Sequence, residues 1–294
     1  MSRCLEDGKL PQMRETSGLS ALVLGAITRD LEPGGASTAG GVVHYAGLAF
    51  AALGARTRVV TRCRAEDAEE LLAALRNAKV ETRALPSRET TTYANDYSGS
   101  EDRHELLAAS DPITPHDVPE AWRRADAVHL GPLHRRDLLP ETLSVLRGCV
   151  GIDLQGLARE RSLGGTRLAP NAELKDFLSH VSVAKAAEEE IAVLLEGRTL
   201  REFQRDLAIG ELLVTLGARG ALLVTQNGVD EIPAVPAARR FPTGAGDVFL
   251  AAYLFARAAD RGTRAAGRFA ARASAAQVEH GRVPAGFALE GAAG

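Results

Sequence analysis

Aromatic side chains are scarce, at 4% of 294 residues with a single tryptophan, and there are only three cysteines. Cys4, Cys63 and Cys149 stand far apart without any paired spacing. This argues against a disulfide framework or a thiolate metal site and for reduced thiols. No apolar stretch reaches the length of a membrane span, and no secretory leader precedes Leu19. The expectation is therefore a cytoplasmic protein with no membrane partner. A basic excess is also lacking: the formal net charge is −3, which gives no support to nucleic-acid binding. The seven histidines show no metal-ligand spacing. A G-x-G-x-x-G after the first strand is absent, and so is G-x-x-x-x-G-K-[ST], which removes the two commonest nucleotide-binding signatures.

What is present is a chain with 45% hydrophobic residues, ample for one large α/β domain or two small ones. Residues 1–18 are polar and aperiodic and read as a disordered tail. Order is expected from Leu19, where a short apolar run to Gly25 has the character of a buried parallel strand. Thr28-Arg29-Asp30 lies just past it. Ligands of open α/β sheets bind beyond the carboxyl ends of strands, so Asp30 is placed to meet one, with a surface turn as the alternative. A glycine-rich approach to Gly40-Gly41 then leads into an Ala-rich helix ending at Leu53-Gly54. Arg58–Arg62 reads as a strand, and Ala65–Ala78 as an amphipathic helix with Leu71, Leu72 and Leu75 on one face. Between Val80 and Leu107 the pattern becomes a β-hairpin, turning at Ser98-Gly99-Ser100, of the kind that covers a cleft. Further strands are expected at Ala127–Gly131, Gly148–Gly156 and Val181–Ala184, then a strand, tight turn and second strand across Glu211–Thr225, with helices at Leu138–Arg147 and Arg264–Val278. Alternating strands and helices predict a mostly parallel sheet covered on both faces.

The chain is organised around Arg240-Phe241-Pro242-Thr243-Gly244-Ala245-Gly246-Asp247 and the apolar run that follows it. Two glycines at a helix start let backbone N–H groups converge, and the helix end adds partial positive charge. Asp247 would repel a phosphate held there unless it has a task, such as taking a proton from an attacking hydroxyl. An ordinary glycine turn with an acidic first-turn residue explains the octet equally well on its own.

Taken together, Gly40-Gly41 before the Ala-rich helix and Thr243-Gly244-Ala245-Gly246-Asp247 about 200 residues later, with Val214-Thr215-Leu216-Gly217 between, give a chain that resembles the ribokinase-like (PfkB) small-molecule kinases. The resemblance covers roughly Leu19 to Phe287. Within that family it looks most similar to the myo-inositol kinase branch, through 109–119, Asp153-Leu154-Gln155-Gly156-Leu157-Ala158-Arg159, 185–190 and Ala276-Gln277-Val278-Glu279. The resemblance implies a three-layer α/β/α sandwich over residues 19–294, with a small β lid inserted around 84–108. It also implies an ATP-dependent kinase acting on a hydroxyl of a cyclitol, polyol or sugar. The alternatives are a nucleoside kinase of the same family and a non-catalytic binding protein derived from one.

Carried over by position, Asp247 is the general base, and the amides of Gly244, Ala245 and Gly246 stabilise the transferring phosphoryl group. Asp30, Gly40 and Gly41 hold the acceptor, joined by Tyr45, Asp153 and Gln155; an aspartate suits a polyol because it accepts two hydrogen bonds. Thr215, Gly217, Arg219, Gly220 and Thr243 belong to the nucleotide side. Glu190 organises Mg²⁺ through water, with Glu188 as the fallback register. The need for a monovalent cation is left open. Tyr93, Asn95 and Tyr97 belong to the lid, and family lids often form an intersubunit sheet, which makes a homodimer an expectation. Three positions depart from the family pattern: Phe241 replaces an aspartate, Ala187 an asparagine, and Tyr45 the asparagine of the substrate helix. His44 and His129 read as packed or hydrogen-bonded histidines, Lys185 as a phosphate contact or a solvent-facing lysine, and Trp122 as an anchor for a helix in the core.

Overall fold

The computed structural model describes residues 18–32, 34–96, 103–162 and 165–289. The expected tail up to residue 17, Cys4, Tyr97 and the 98–100 turn lie outside the described residues. In chain order the elements are β1 (Ser20–Gly25), β2 (Thr28–Leu31), β3 (Ser37–Gly40), α1 (Val42–Ala52), β4 (Arg56–Cys63), α2 (Ala68–Leu71), α3 (Ala73–Asn77), β5 (Glu81–Pro86), β6 (Thr91–Asp96) and β7 (Arg103–Ala108). There follow β8 (Arg124–Gly131), α4 (Pro140–Ser144), β9 (Arg147–Asp153), β10 (Arg159–Ser162), β11 (Gly165–Leu168), α5 (Leu174–Leu178), β12 (Val183–Ala187), α6 (Glu188–Leu194) and α7 (Leu200–Asp206). The chain closes with β13 (Glu211–Thr215), β14 (Ala221–Thr225), β15 (Gly228–Ile232), α8 (Ala245–Ala258) and α9 (Thr263–His280).

Nine strands form the central sheet in the order β15-β14-β13-β12-β9-β8-β1-β4-β5. From β13 through β5 every pairing is parallel, and only the β13–β14 and β14–β15 pairings are antiparallel. Alternate residues of β1 show why: Val23 packs into one core with α1, α8 and α9, while Leu22 and Leu24 pack into the other with α4 to α7. A strand buried on both faces needs an apolar residue at nearly every position, which is what Ser20–Gly25 supplies. Helix α8 is the most enclosed, with every residue from Val248 to Ala256 buried.

The second sheet, β3-β2-β6-β7, is larger than the expected hairpin. Thr28–Leu31 and Ser37–Gly40, expected as a loop and a flexible approach, are its first two strands, with β2 parallel to β6. Four-residue strands carry too few alternations to announce themselves. Glu81–Pro86 pairs with β4 and belongs to the central sheet. The expected helix at 65–78 is interrupted: a 3₁₀ turn at Ala65–Asp67 precedes α2 and α3, which break at Leu72. Trp122 anchors no helix. It ends a single 3₁₀ turn, half-buried, with the Arg58 guanidinium 5.4 Å above its ring. Cys63 and Cys149 are both buried, and neither is in a disulfide.

Candidate active site

Because β1 runs straight out of the central sheet and resumes as β2 after only Ala26-Ile27, the small sheet stands over the carboxyl ends of the parallel strands. A cavity of about 240 Å³ lies between them. Thr28, Asp30 and Tyr93 form its small-sheet wall, Gly41 and Tyr45 its α1 wall, Gln155 and Arg159 its β9–β10 wall, and 242–247 its floor. Register explains the first wall, since Asp30 pairs with Tyr93 across β2 and β6 and strand alternation turns Thr28 to the same side. Asp30 is 8% exposed. Thr28 Oγ1 donates to its Oδ1 at 2.7 Å. Burial raises the Asp30 pKa against the Thr28 hydrogen bond, and Glu32 adds to the rise.

The floor is the octet. Gly244 adopts a left-handed conformation, φ 78°, and caps α8. A side chain there would strain the backbone, and its Cβ would fall 2.2 Å from the Tyr45 ring. The Ala245 amide donates to the Pro242 carbonyl at 3.3 Å and closes the turn. First-turn amides of a helix have no carbonyl partner four residues back, so those of Gly246 and Asp247 are left to the cavity. Helix α9 fixes the loop from behind: Gln277 Nε2 donates to Thr243 O at 3.1 Å, Ser274 Oγ donates to Ala245 O at 3.0 Å, and Phe241 N donates to Val278 O at 2.8 Å. Phe241 itself is half exposed, its ring beside Gly281.

Beneath the floor lies a buried charge cluster. Lys185 Nζ donates to Asp153 Oδ2 at 2.9 Å, and both side chains are almost closed to solvent. Glu190 Oε2 accepts from Ala187 N at 2.8 Å, and its other oxygen is 3.7 Å from Arg159. Burial pushes Asp247 up to about 7, with the Asp153 and Glu190 carboxylates adding to the rise and Lys185 and Arg159 opposing it. Burial works against the Lys185 ammonium, but Asp153 and Glu190 hold its pKa above the ordinary value. The solvent-facing alternative for Lys185 is therefore wrong: it sits inside β12, its Nζ under Gly246, where an added Cβ would lie 2.8 Å away.

The cavity thus gathers Asp30, Gly41, Tyr45, Gln155, Thr243, Gly244, Ala245, Gly246 and Asp247 of the expected residues. Gly40 stands behind Asp30, and Asp153 lies below the floor, its Oδ1 accepting from Gln155 N at 3.0 Å. Thr215, Gly217, Arg219 and Gly220 do not line it. They occupy the end of β13 and the following 3₁₀ turn, where Arg219 pairs with Glu188 and a Cβ on Gly220 would meet the Ile232 carbonyl at 2.2 Å. His129 is fully buried without a hydrogen-bond partner, its ring against Phe50 at 6.5 Å, and burial lowers its pKa to about 4. His44 is lowered to about 4 by the same cause. Sequence reasoning passed over Arg159 although Asp153-Leu154-Gln155-Gly156-Leu157-Ala158-Arg159 was singled out; a basic residue four positions after a strand-end glutamine was the signal.

For a divalent cation the fit is limited. Among the described residues no group of three or more His, Cys, Asp or Glu is placed to hold a metal ion, and Glu190 already holds an amide and faces a guanidinium. No helix among the described residues is long and apolar enough to cross a membrane.

Known proteins share the fold of this chain. Inositol 3-kinase of Zea mays is 31% identical over 153 residues, a match that covers 50% of this chain and 38% of the maize enzyme. A sulfate complex of a pyrophosphate-dependent kinase in the ribokinase family superposes with a TM-score of 0.78 at 26% identity, covering 91% of this chain and 98% of the other. A kinase of the same description, complexed with a pyrophosphate analog and myo-inositol, gives 0.79 at 23% over 91% and 97%. Ribokinase of Thermotoga maritima gives 0.68 at 20% over 91% and 94%; at such identity the likeness speaks for the fold, which is ribokinase-like. The profile of the pfkB carbohydrate kinases matches residues 37–285. The chain belongs to the pfkB family of carbohydrate kinases, phosphotransferases with an alcohol group as acceptor.

Proposed function

We propose that this kinase phosphorylates a hydroxyl of a cyclitol such as myo-inositol, or of a related polyol, with Asp247 as general base. The observation that carries the reading is the placement of Asp30 and Asp247 in one cavity at the start of α8. Asp30 accepts hydrogen bonds from the acceptor's neighbouring hydroxyls. Asp247 takes the proton of the reacting hydroxyl as its oxygen attacks the terminal phosphorus. The P–O bond to the donor breaks, and the first-turn amides of α8 meet the charge on the phosphoryl oxygens. At about 240 Å³ the cavity is small beside the roughly 300–1,000 Å³ of most small-molecule sites. That favours a single polyol ring over a nucleoside.

ATP with magnesium is the donor expected of the family. A second reading makes it pyrophosphate, as in the two structures of pyrophosphate-dependent kinases that this fold resembles. What supports it in this chain is that Thr215 and Gly217, expected on the nucleotide side, stand outside the cavity that holds the amide floor and Arg159. The test is phosphorylation of a panel of inositols, aminocyclitols, pentoses and nucleosides with each donor. Turnover of a cyclitol is expected. Tight ligand binding without turnover of any acceptor by either donor would make the chain a sensor and sink the kinase reading.

A further inference from the structure

We propose that Arg159 is a catalytic residue of this site, its guanidinium held open to contact the phosphoryl group in transfer. The proposal rests on the phosphotransferase reading and adds to it a residue on the β10 strand. Charge is the first argument. Asp30 and Asp247 line the cavity, and Asp153 and Glu190 lie below it. A phosphoryl group brings further negative charge into this acidic surround. Among the residues lining the cavity Arg159 is the one cationic side chain. Lys185 beneath the floor is committed to Asp153, and Arg239 and Arg240 line the adjoining cavity beyond Pro242 and Thr243, not this one.

Anchoring is the second argument. With the Gln155 amide turned so that its oxygen faces the guanidinium, that oxygen accepts from Arg159 Nη1 at 2.5 Å and Nη2 at 3.2 Å. Glu190 Oε1 stands 3.7 Å from Nη2. One hydrogen-bonded amide and one carboxylate at ion-pair distance hold a long side chain in one orientation, so little freedom is lost when phosphate arrives. A guanidinium has five donors in a planar fork, and these contacts leave some of them for phosphoryl oxygens. With 22% of its side chain exposed, Arg159 is neither sealed in nor free at the surface. Gln155 thereby becomes a positioning residue, acting through Arg159.

The test uses the full chain with whichever donor and acceptor the wild type turns over. Arg159→Gln is expected to lower kcat about 10² to 10³-fold, the scale of removing one preorganised donor. The acceptor KM should change less than about threefold, Arg159→Lys should recover part of kcat, and Gln155→Leu should lose less than Arg159→Gln. Removing the cation that favours ionised Asp247 also moves the acid limb of the pH–rate profile upward. A merely structural arginine would lower the melting temperature without moving that limb. If Arg159→Gln keeps kcat while the acceptor KM rises tenfold or more, the residue is an acceptor ligand and the proposal falls. Inorganic phosphate binding, followed by calorimetry, separates this from failure of the kinase reading: wild type without turnover should still bind phosphate at least tenfold more tightly than Arg159→Gln. Equal phosphate binding by the two would overturn the assignment.

Discussion

Gly40 and Asp30 meet across β2 and β3, so closely that a Cβ on Gly40 would fall 2.1 Å from Asp30 Oδ2. The absence of a side chain at residue 40 therefore sets where the Asp30 carboxylate points. Gly40→Ala is expected to displace that carboxylate from the cavity. Losing its hydrogen bonds, each worth about 1.5–3 kcal/mol when one partner is charged, raises the acceptor KM by roughly ten- to a hundredfold. The donor KM stays within a factor of about two. Steady-state kinetics with each substrate varied in turn checks the split; an unchanged acceptor KM would remove Asp30 from the acceptor site.

Asp247 couples activity and stability in opposite senses. Its folded pKa, about 7, lies above the ordinary carboxylate value of 3.8. A base must be deprotonated to act, so turnover should rise with pH through an apparent pKa near 7. The unfolded chain releases this proton earlier, so in the window between about 4 and 7 the folded state binds more protons and its stability falls as pH increases. Asp247→Asn should remove that slope from the pH dependence of the melting temperature and lower kcat roughly 10² to 10⁴-fold. A variant with near-normal turnover would show that another group takes the proton.

The Lys185–Asp153 pair lends itself to a double-mutant cycle. Lys185→Met leaves a buried carboxylate without its cation and is expected to cost about 3–5 kcal/mol of stability. Adding Asp153→Asn to it should recover much of that loss, because the amide needs no counterion. Denaturant unfolding of the four proteins gives the coupling; additive effects would show that the two side chains do not depend on one another.

Gly244→Ala meets two obstacles, the left-handed backbone at φ 78° and the Tyr45 ring 2.2 Å from the new methyl. Backbone strain alone costs about 1–2 kcal/mol. The variant should fold with a lowered melting temperature and lose most of its turnover, since the first turn of α8 must shift. Truncating Tyr45 in the same chain relieves the steric part only, so partial recovery of stability is the expected result.

Much of this could be read from residue order because the relevant segments are long and regular. Val248–Ala256 and the Ala-rich stretch before Leu53 are buried helices whose composition reports their surroundings directly, and Thr243–Asp247 marks a helix start by its glycines. Asp30 was placed at a strand end but not on a strand of its own, since β2 and β3 each contribute only four residues. The pairing of Lys185 with Asp153 was not legible for a different reason. Their partnership crosses from β12 to β9, separated by 32 positions, and nothing local distinguishes a lysine aimed at solvent from one aimed beneath a helix. Arg159 belongs to the same class: its meaning comes from Gln155, Glu190 and the floor acting together. The departures at Phe241 and Ala187 have plain structural settings, the first over Gly281 and the second donating its amide to Glu190.

The passage of β1 into β2 across only two residues means that the cavity is shared between two bodies of the same chain, with Asp30 and Tyr93 on one and Asp247 on the other. A molecule touching both bodies is a brace as well as a substrate. By mass action a bound acceptor at a hundred times its dissociation constant adds about 2.7 kcal/mol to the folded state. Among its described residues the small sheet has few buried apolar side chains of its own, Tyr93 and Leu106 chief among them, so that increment should fall largely on its amides. Hydrogen exchange of the small sheet is thus a way to find the acceptor that does not wait for turnover.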